Sequence, residues 1–88
     1  MAISADDLRE LIIFTMIENA QVVAAVMGTP PVLDVEWLGS AYDKALDEIN
    51  QVLDGQRRPP VETSLDFKTT VLDTFVRRME SEGRMRGA

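Results

Sequence analysis

Four carboxylates, Glu36, Asp43, Asp47 and Asp54, recur at i, i+7, i+11 and i+18 along one segment. On a helix that spacing gathers them into a narrow arc. Asp43 and Asp47 form a like-charge i,i+4 pair, which costs about 0.2–0.5 kcal/mol. Folding does not require such a stripe, so it is a candidate docking face for a basic partner. The plainer alternative is a solvated face turned toward Arg77 and Arg78 of the same chain or of a second subunit.

The same residues are poorly suited to catalysis. Neighbours such as Asp6/Asp7 and Asp47/Glu48 diverge by about 100° on a helix and cannot share a proton or an ion. The chain has no His and no Cys, which removes the commonest general base, the commonest metal ligand and any thiolate chemistry. Gly28, Gly39, Gly55, Gly83 and Gly87 are scattered and do not build a phosphate-binding loop. We therefore expect a non-enzyme with no catalytic residue, no metal and no cofactor.

Two aromatic residues are candidate contacts. Phe14 falls among Glu10, Glu18 and Gln21, on the wet side of its segment, where an exposed ring would anchor a partner. Trp37 lies at the edge of an apolar face and would serve either as an anchor or as a cover over the Thr29–Leu33 loop. The Arg57-Arg58-Pro59-Pro60 segment offers a basic residue beside prolines, but linker is its better reading.

Three helices must position these residues. Ser4 is a natural N-cap with Asp6 and Asp7 in the following turn, and the first helix spans 5–27 up to Gly28, Pro30 and Pro31. Asp34 caps a second helix over 34–53, with Asp54-Gly55 as its stop. A linker over 54–63 follows, and Thr63 or Ser64 caps a third helix over 64–82 that ends at Gly83, before a frayed tail over 84–88. No strand signal is present, so the fold class is all-α: a small three-helix bundle in a single domain.

The first helix carries more apolar surface than one packing stripe needs. One stripe holds Leu8, Ile12, Met16, Asn19, Val22, Val23 and Val26. A second holds Ile13, Ile17, Ala20, Ala24 and Met27, and its small alanines would let a second copy approach closely. We expect a homodimer built on Ile13, Ile17, Ala20 and Ala24. In the alternative, the second and third helices straddle the first and cover both stripes. Leu38, Ala41, Tyr42, Ala45, Ile49, Val52 and Leu53 form the second helix's apolar face. Leu65, Val71, Leu72, Phe75, Val76 and Met79 form that of the third, with Lys68 intruding.

Composition narrows the function classes. An 88-residue chain without a disulfide is one domain that depends on helix packing, and 45% hydrophobic residues suffice for a core. Residues 1–54 hold ten acids against Arg9 and Lys44, net −8, while residues 55–88 hold five acids against seven bases, net +2. This imbalance argues against direct nucleic-acid binding. Glu18, Asn19 and Gln21 interrupt the apolar run and its flank is acidic, so we expect neither a membrane span nor a signal peptide, and a cytoplasmic protein. The expected function is non-catalytic binding of another protein by a small regulator or inhibitor, of the type common among bacterial and phage accessory proteins. Its contacts would be Phe14, Glu36, Trp37, Asp43 and Asp47. The alternatives are an acidic mimic of nucleic acid and a structural assembly subunit.

Overall fold

Apolar periodicity and matched caps produce three helices: α1 (Ala5–Met27), α2 (Val35–Gly55) and α3 (Leu65–Glu82). They are seen in a computed structural model that describes residues 3–29 and 32–82, except for the side chain of Glu82. The expectations for Pro30, Pro31, Gly83 and the tail over 84–88 lie outside the described residues. All three N-caps form as their chemistry dictates. The Ser4 hydroxyl accepts from the Asp7 amide at 3.1 Å, an Asp34 carboxylate oxygen from the Trp37 amide at 2.7 Å, and the Ser64 hydroxyl from the Phe67 amide at 3.1 Å. Thr63 instead meets the core, its hydroxyl lying 2.6 Å from the phenol oxygen of buried Tyr42.

The helix ends differ in how the backbone reverses. Gly28 takes the left-handed conformation (φ 77°) and donates its amide to Ala24 O at 2.9 Å, closing α1 at the expected stop. In α2 the stop falls later than expected. Gly55 is still helical, and the left-handed residue is Arg57 (φ 58°). The Arg57 amide donates to Asp54 O at 2.9 Å and the Arg58 amide to Leu53 O at 2.8 Å, a Schellman closure with arginine where glycine is preferred.

α1 is the centre of the packing and meets both other helices more extensively than they meet each other. Its buried residues Leu8, Ile12, Ile13, Met16, Ile17 and Ala20 sweep half of its circumference. α2 runs antiparallel to it: Ile3 and Leu11 lie near Val52 and Leu53, and Asn19 Nδ2 reaches Glu48 Oε2 at 3.5 Å. α3 closes the other side, with Val71, Phe75 and Met79 in the core. Its Phe75 ring stacks on Trp37 at the start of α2 (centroids 6.0 Å apart), while Arg78 reaches Glu10 in the first half of α1. Those two contacts lie toward opposite ends of the α1–α2 pair, so α3 crosses the pair obliquely.

The linker is tied down by one side chain. Asn50 accepts from the Val61 amide at 2.7 Å and donates to the Val61 carbonyl at 3.3 Å, holding the segment after Pro60 against α2. Among the described residues, every buried side-chain nitrogen and oxygen has a hydrogen-bond partner.

This packing buries Leu8, Ile12 and Met16 of the first α1 stripe, and most of the expected self-association face, within one chain. Ile13, Ile17 and Ala20 are buried among the chain's own helices, and of the four expected residues only Ala24 keeps partial exposure. A second copy therefore has no access to the other three unless the bundle opens. Other apolar residues assigned to core faces instead reach solvent: Val22, Val26 and Met27 near the end of α1, Val52 on α2, and Leu65 at the start of α3. The last turns of α1 extend past the region that α2 and α3 cover, and Leu65 stands at a helix end.

The two helix ends yield a prediction with opposite signs. A Cβ at Gly55 meets nothing within 4 Å, so Gly55→Ala gains helix propensity and stabilises by about 0.5–1 kcal/mol. Arg57→Gly relieves the left-handed penalty and stabilises by a similar amount, about 0.5–1 kcal/mol. Gly28→Ala imposes that penalty and costs about 1 kcal/mol. Urea midpoints at unchanged m-value measure all three changes.

Candidate functional surface

α2 carries small residues, Ala41 and Ala45, in the core beside α1. A shallow furrow runs between the two helices at the C-terminal part of α2. A cavity of about 360 Å³ opens there, with Ile3, Leu11 and Thr15 on one wall and Glu48, Ile49 and Val52 on the other. Val52 is 60% exposed at its mouth and Leu11 is 41% exposed. A second hollow of about 420 Å³ continues from Ile3 and Leu53 beneath the linker at Arg57–Val61.

Apolar walls with one carboxylate and one guanidinium, from Glu48 and Arg58, can hold aliphatic side chains. Among the described residues, no three carboxylates converge on a point that would hold a metal ion.

The residues singled out from sequence do not form one site. Phe14 is 59% exposed on the outer side of α1, one helical step from Leu11 and Glu18. Glu36, Asp43 and Asp47 are exposed on α2, but two are engaged within the chain. An Asp43 oxygen lies 3.8 Å from Lys68 Nζ, and an Asp47 oxygen accepts from Gln51 at 2.9 Å. Lys68 also sits over the Tyr42 ring, 5.3 Å from its centroid, which explains a charge on α3's apolar side.

Trp37 takes the covering position that the sequence also allowed. It is half-buried with its ring on Phe75, so its indole serves the junction of α2 and α3. The two arginines of α3 do not face the acidic stripe either. Arg77 pairs with Asp73 at 3.0 Å on its own helix, and Arg78 pairs with Glu10 of α1 through two nitrogens at 2.8 and 3.2 Å.

Sequence reasoning missed the furrow itself. Periodicity puts Val52 on α2's core face and Leu11 in neither α1 stripe. The signal was present in α1, where Leu11, Thr15, Val22 and Val26 share a strip beside the buried arc. The depth of the furrow depends on the α1–α2 separation, which periodicity does not give.

By length and composition alone α1 would also be able to cross a membrane, a test that the core helix of a soluble protein passes too. No protein-family model, curated protein or solved structure matches the chain.

One electrostatic contact carries a pH signature. The hydrogen bonds from Arg78 hold the Glu10 carboxyl below its ordinary value of 4.5; desolvation opposes them, and the charges of Arg78 and Arg9 contribute less, in the lowering direction. A carboxylate depressed on folding contributes stability above its unfolded pKa and loses it as pH falls through the folded value. Wild type should therefore exceed Glu10→Gln in stability near neutrality, and the gap should close as pH is lowered from about 6 to about 3. Urea midpoints of the two proteins across that range measure it.

Proposed function

We propose that this chain is a non-catalytic protein-binding module, a small regulator or inhibitor that engages another protein along the outer side of the α1–α2 pair. The observation that carries this reading is an apolar strip left uncovered in a chain that otherwise buries its apolar arc well. Leu11, Val22, Val26 and Val52 are exposed while Ile12, Ile13 and Met16 are fully buried. Scattered exposed aliphatics are ordinary on small proteins; a strip aligned with a furrow between two helices is the kind of surface partners use. Phe14 widens the strip on one side, and Glu48 of α2 enters it on the other, supplying selectivity more than affinity.

The reading is tested by affinity capture from the cells that make the protein, followed by mass spectrometry. Wild type and Val35→Lys should retain the same partner, and the double variant Val22→Lys/Val52→Lys should lose it. Val35 makes a fair control because it is 88% exposed, outside the furrow, and receives the same chemical change. Recovery of no partner, or of the same partner by all three proteins, contradicts the proposal.

A further inference from the structure

We infer that the hollow beneath the linker binds a small amphiphilic carboxylate, with its hydrocarbon body on the apolar lining and its head on the arginines. The shape of the hollow, its charge and the backbone of Arg57 each support this assignment.

The hollow measures about 420 Å³, within the range of about 300–1,000 Å³ usual for small-molecule sites. Its apolar lining comes from Leu53, a core residue near the end of α2, from Ile3 before α1, and from Pro59, Pro60 and Val61 in the linker. The linker wall is stiff before any ligand arrives. Both prolines have a fixed φ, and Asn50 holds the Val61 amide at 2.7 Å and its carbonyl at 3.3 Å. A preformed wall spares the ordering cost that a loose loop would impose on binding.

The charge of the lining has one sign. Among the described residues that line the hollow, Arg57 and Arg58 are charged and no carboxylate joins them. Asp54 and Glu62, the nearest acids in sequence, are outside the lining, and Glu48 belongs to the neighbouring furrow. The carbonyl end of α2 opposes an anion with roughly half a charge, less than one guanidinium supplies. Arg58 is half-buried and has another interaction of its own, so Arg57 is the main receptor for the head. Arg57 is exposed, and among the described residues no carboxylate lies within ion-pair distance of it. Its planar fork matches a carboxylate through two hydrogen bonds, and a monoanion balances its charge.

The backbone at Arg57 points the same way. Glycine adopts its left-handed conformation (φ 58°) without penalty, whereas arginine adopts it at a cost to stability. Glycine would serve helix closure better. A residue kept against local preference beside a preformed hollow marks a functional position, and the guanidinium is what glycine would lack.

The test titrates the ¹⁵N-labelled full chain with octanoate, kept below the concentration at which it forms micelles. Resonances of Leu53, Arg57, Arg58 and Val61 should shift and saturate. Acetate, which offers the head alone, and octylammonium, which reverses the charge, should leave them in place at the same concentration. Arg57→Gly should weaken octanoate binding by about tenfold or more while raising the urea midpoint, so that lost binding is not lost folding. Arg57→Gln, which keeps the backbone conformation and removes the charge, should weaken it similarly. Gly55→Ala, at the same helix end but outside the lining, should change binding by less than about twofold.

The absence of a saturable shift with octanoate, or unchanged binding by Arg57→Gly and Arg57→Gln, would overturn the inference. Equal shifts with acetate would reduce the site to ordinary ion pairing, and equal shifts with octylammonium would remove the role of charge; either result overturns it too. So would shifts confined to Leu11, Val22 and Val26, which would place octanoate on the exposed strip of α1.

Discussion

The whole architecture depends on α1 having an apolar arc half its circumference wide. One neighbouring helix covers a stripe, not a half-circle, so burying this arc takes two helices, one on each side. Residues Leu8 to Ala20 accordingly form the spine of the core. α2 lies antiparallel along one side of it and α3 crosses from the other. In a chain of 88 residues this arrangement substitutes for the staples that small domains often need. It also sets a limit. Neither α2 nor α3 extends over the last turns of α1 or fills the outer furrow, so Val22, Val26 and Met27 remain in water.

The polar contacts follow from that geometry. Asn50 pins the linker to α2 and brings Thr63 to the Tyr42 phenol, which satisfies the one phenol that packing drives into the core. Arg78 and Glu10 join α3 to α1 at the rim. Lys68 places its charge between Asp43 and the Tyr42 ring. Lys68, Arg77 and Arg78 of α3 thus pair with Asp43, Asp73 and Glu10, on α2, α3 and α1 in turn. Among the described residues, no third helix covers the outer side of the α1–α2 pair, where Leu11 and Val52 stay exposed.

Much of the fold was legible in sequence because local chemistry set it. Ser4, Asp34 and Ser64 cap as their side chains dictate, and Gly28 ends α1. The end of α2 was misplaced because closure there uses a left-handed arginine, which no residue preference announces. The surface was less legible. Periodicity identifies apolar faces but not which neighbour covers them, so it leaves Ile13 and Ile17 open to a second copy and puts Val52 in the core. Trp37 was ambiguous for the same reason, since its partner Phe75 lies on another helix. Phe14 and the α2 acids were correctly placed in water, where polar neighbours on the same helix decide the matter.

The most direct test of the central claim is amide hydrogen exchange on the protein, followed over about a hundredfold range of concentration. The account predicts that amides from Ile12 to Ala20 exchange only through global unfolding, at rates independent of concentration, while those from Val22 to Met27 exchange through local opening. Protection at Ile13, Ile17 and Ala20 that weakens on dilution would contradict it, because a second copy, and not the chain's own α2 and α3, would then be covering the spine.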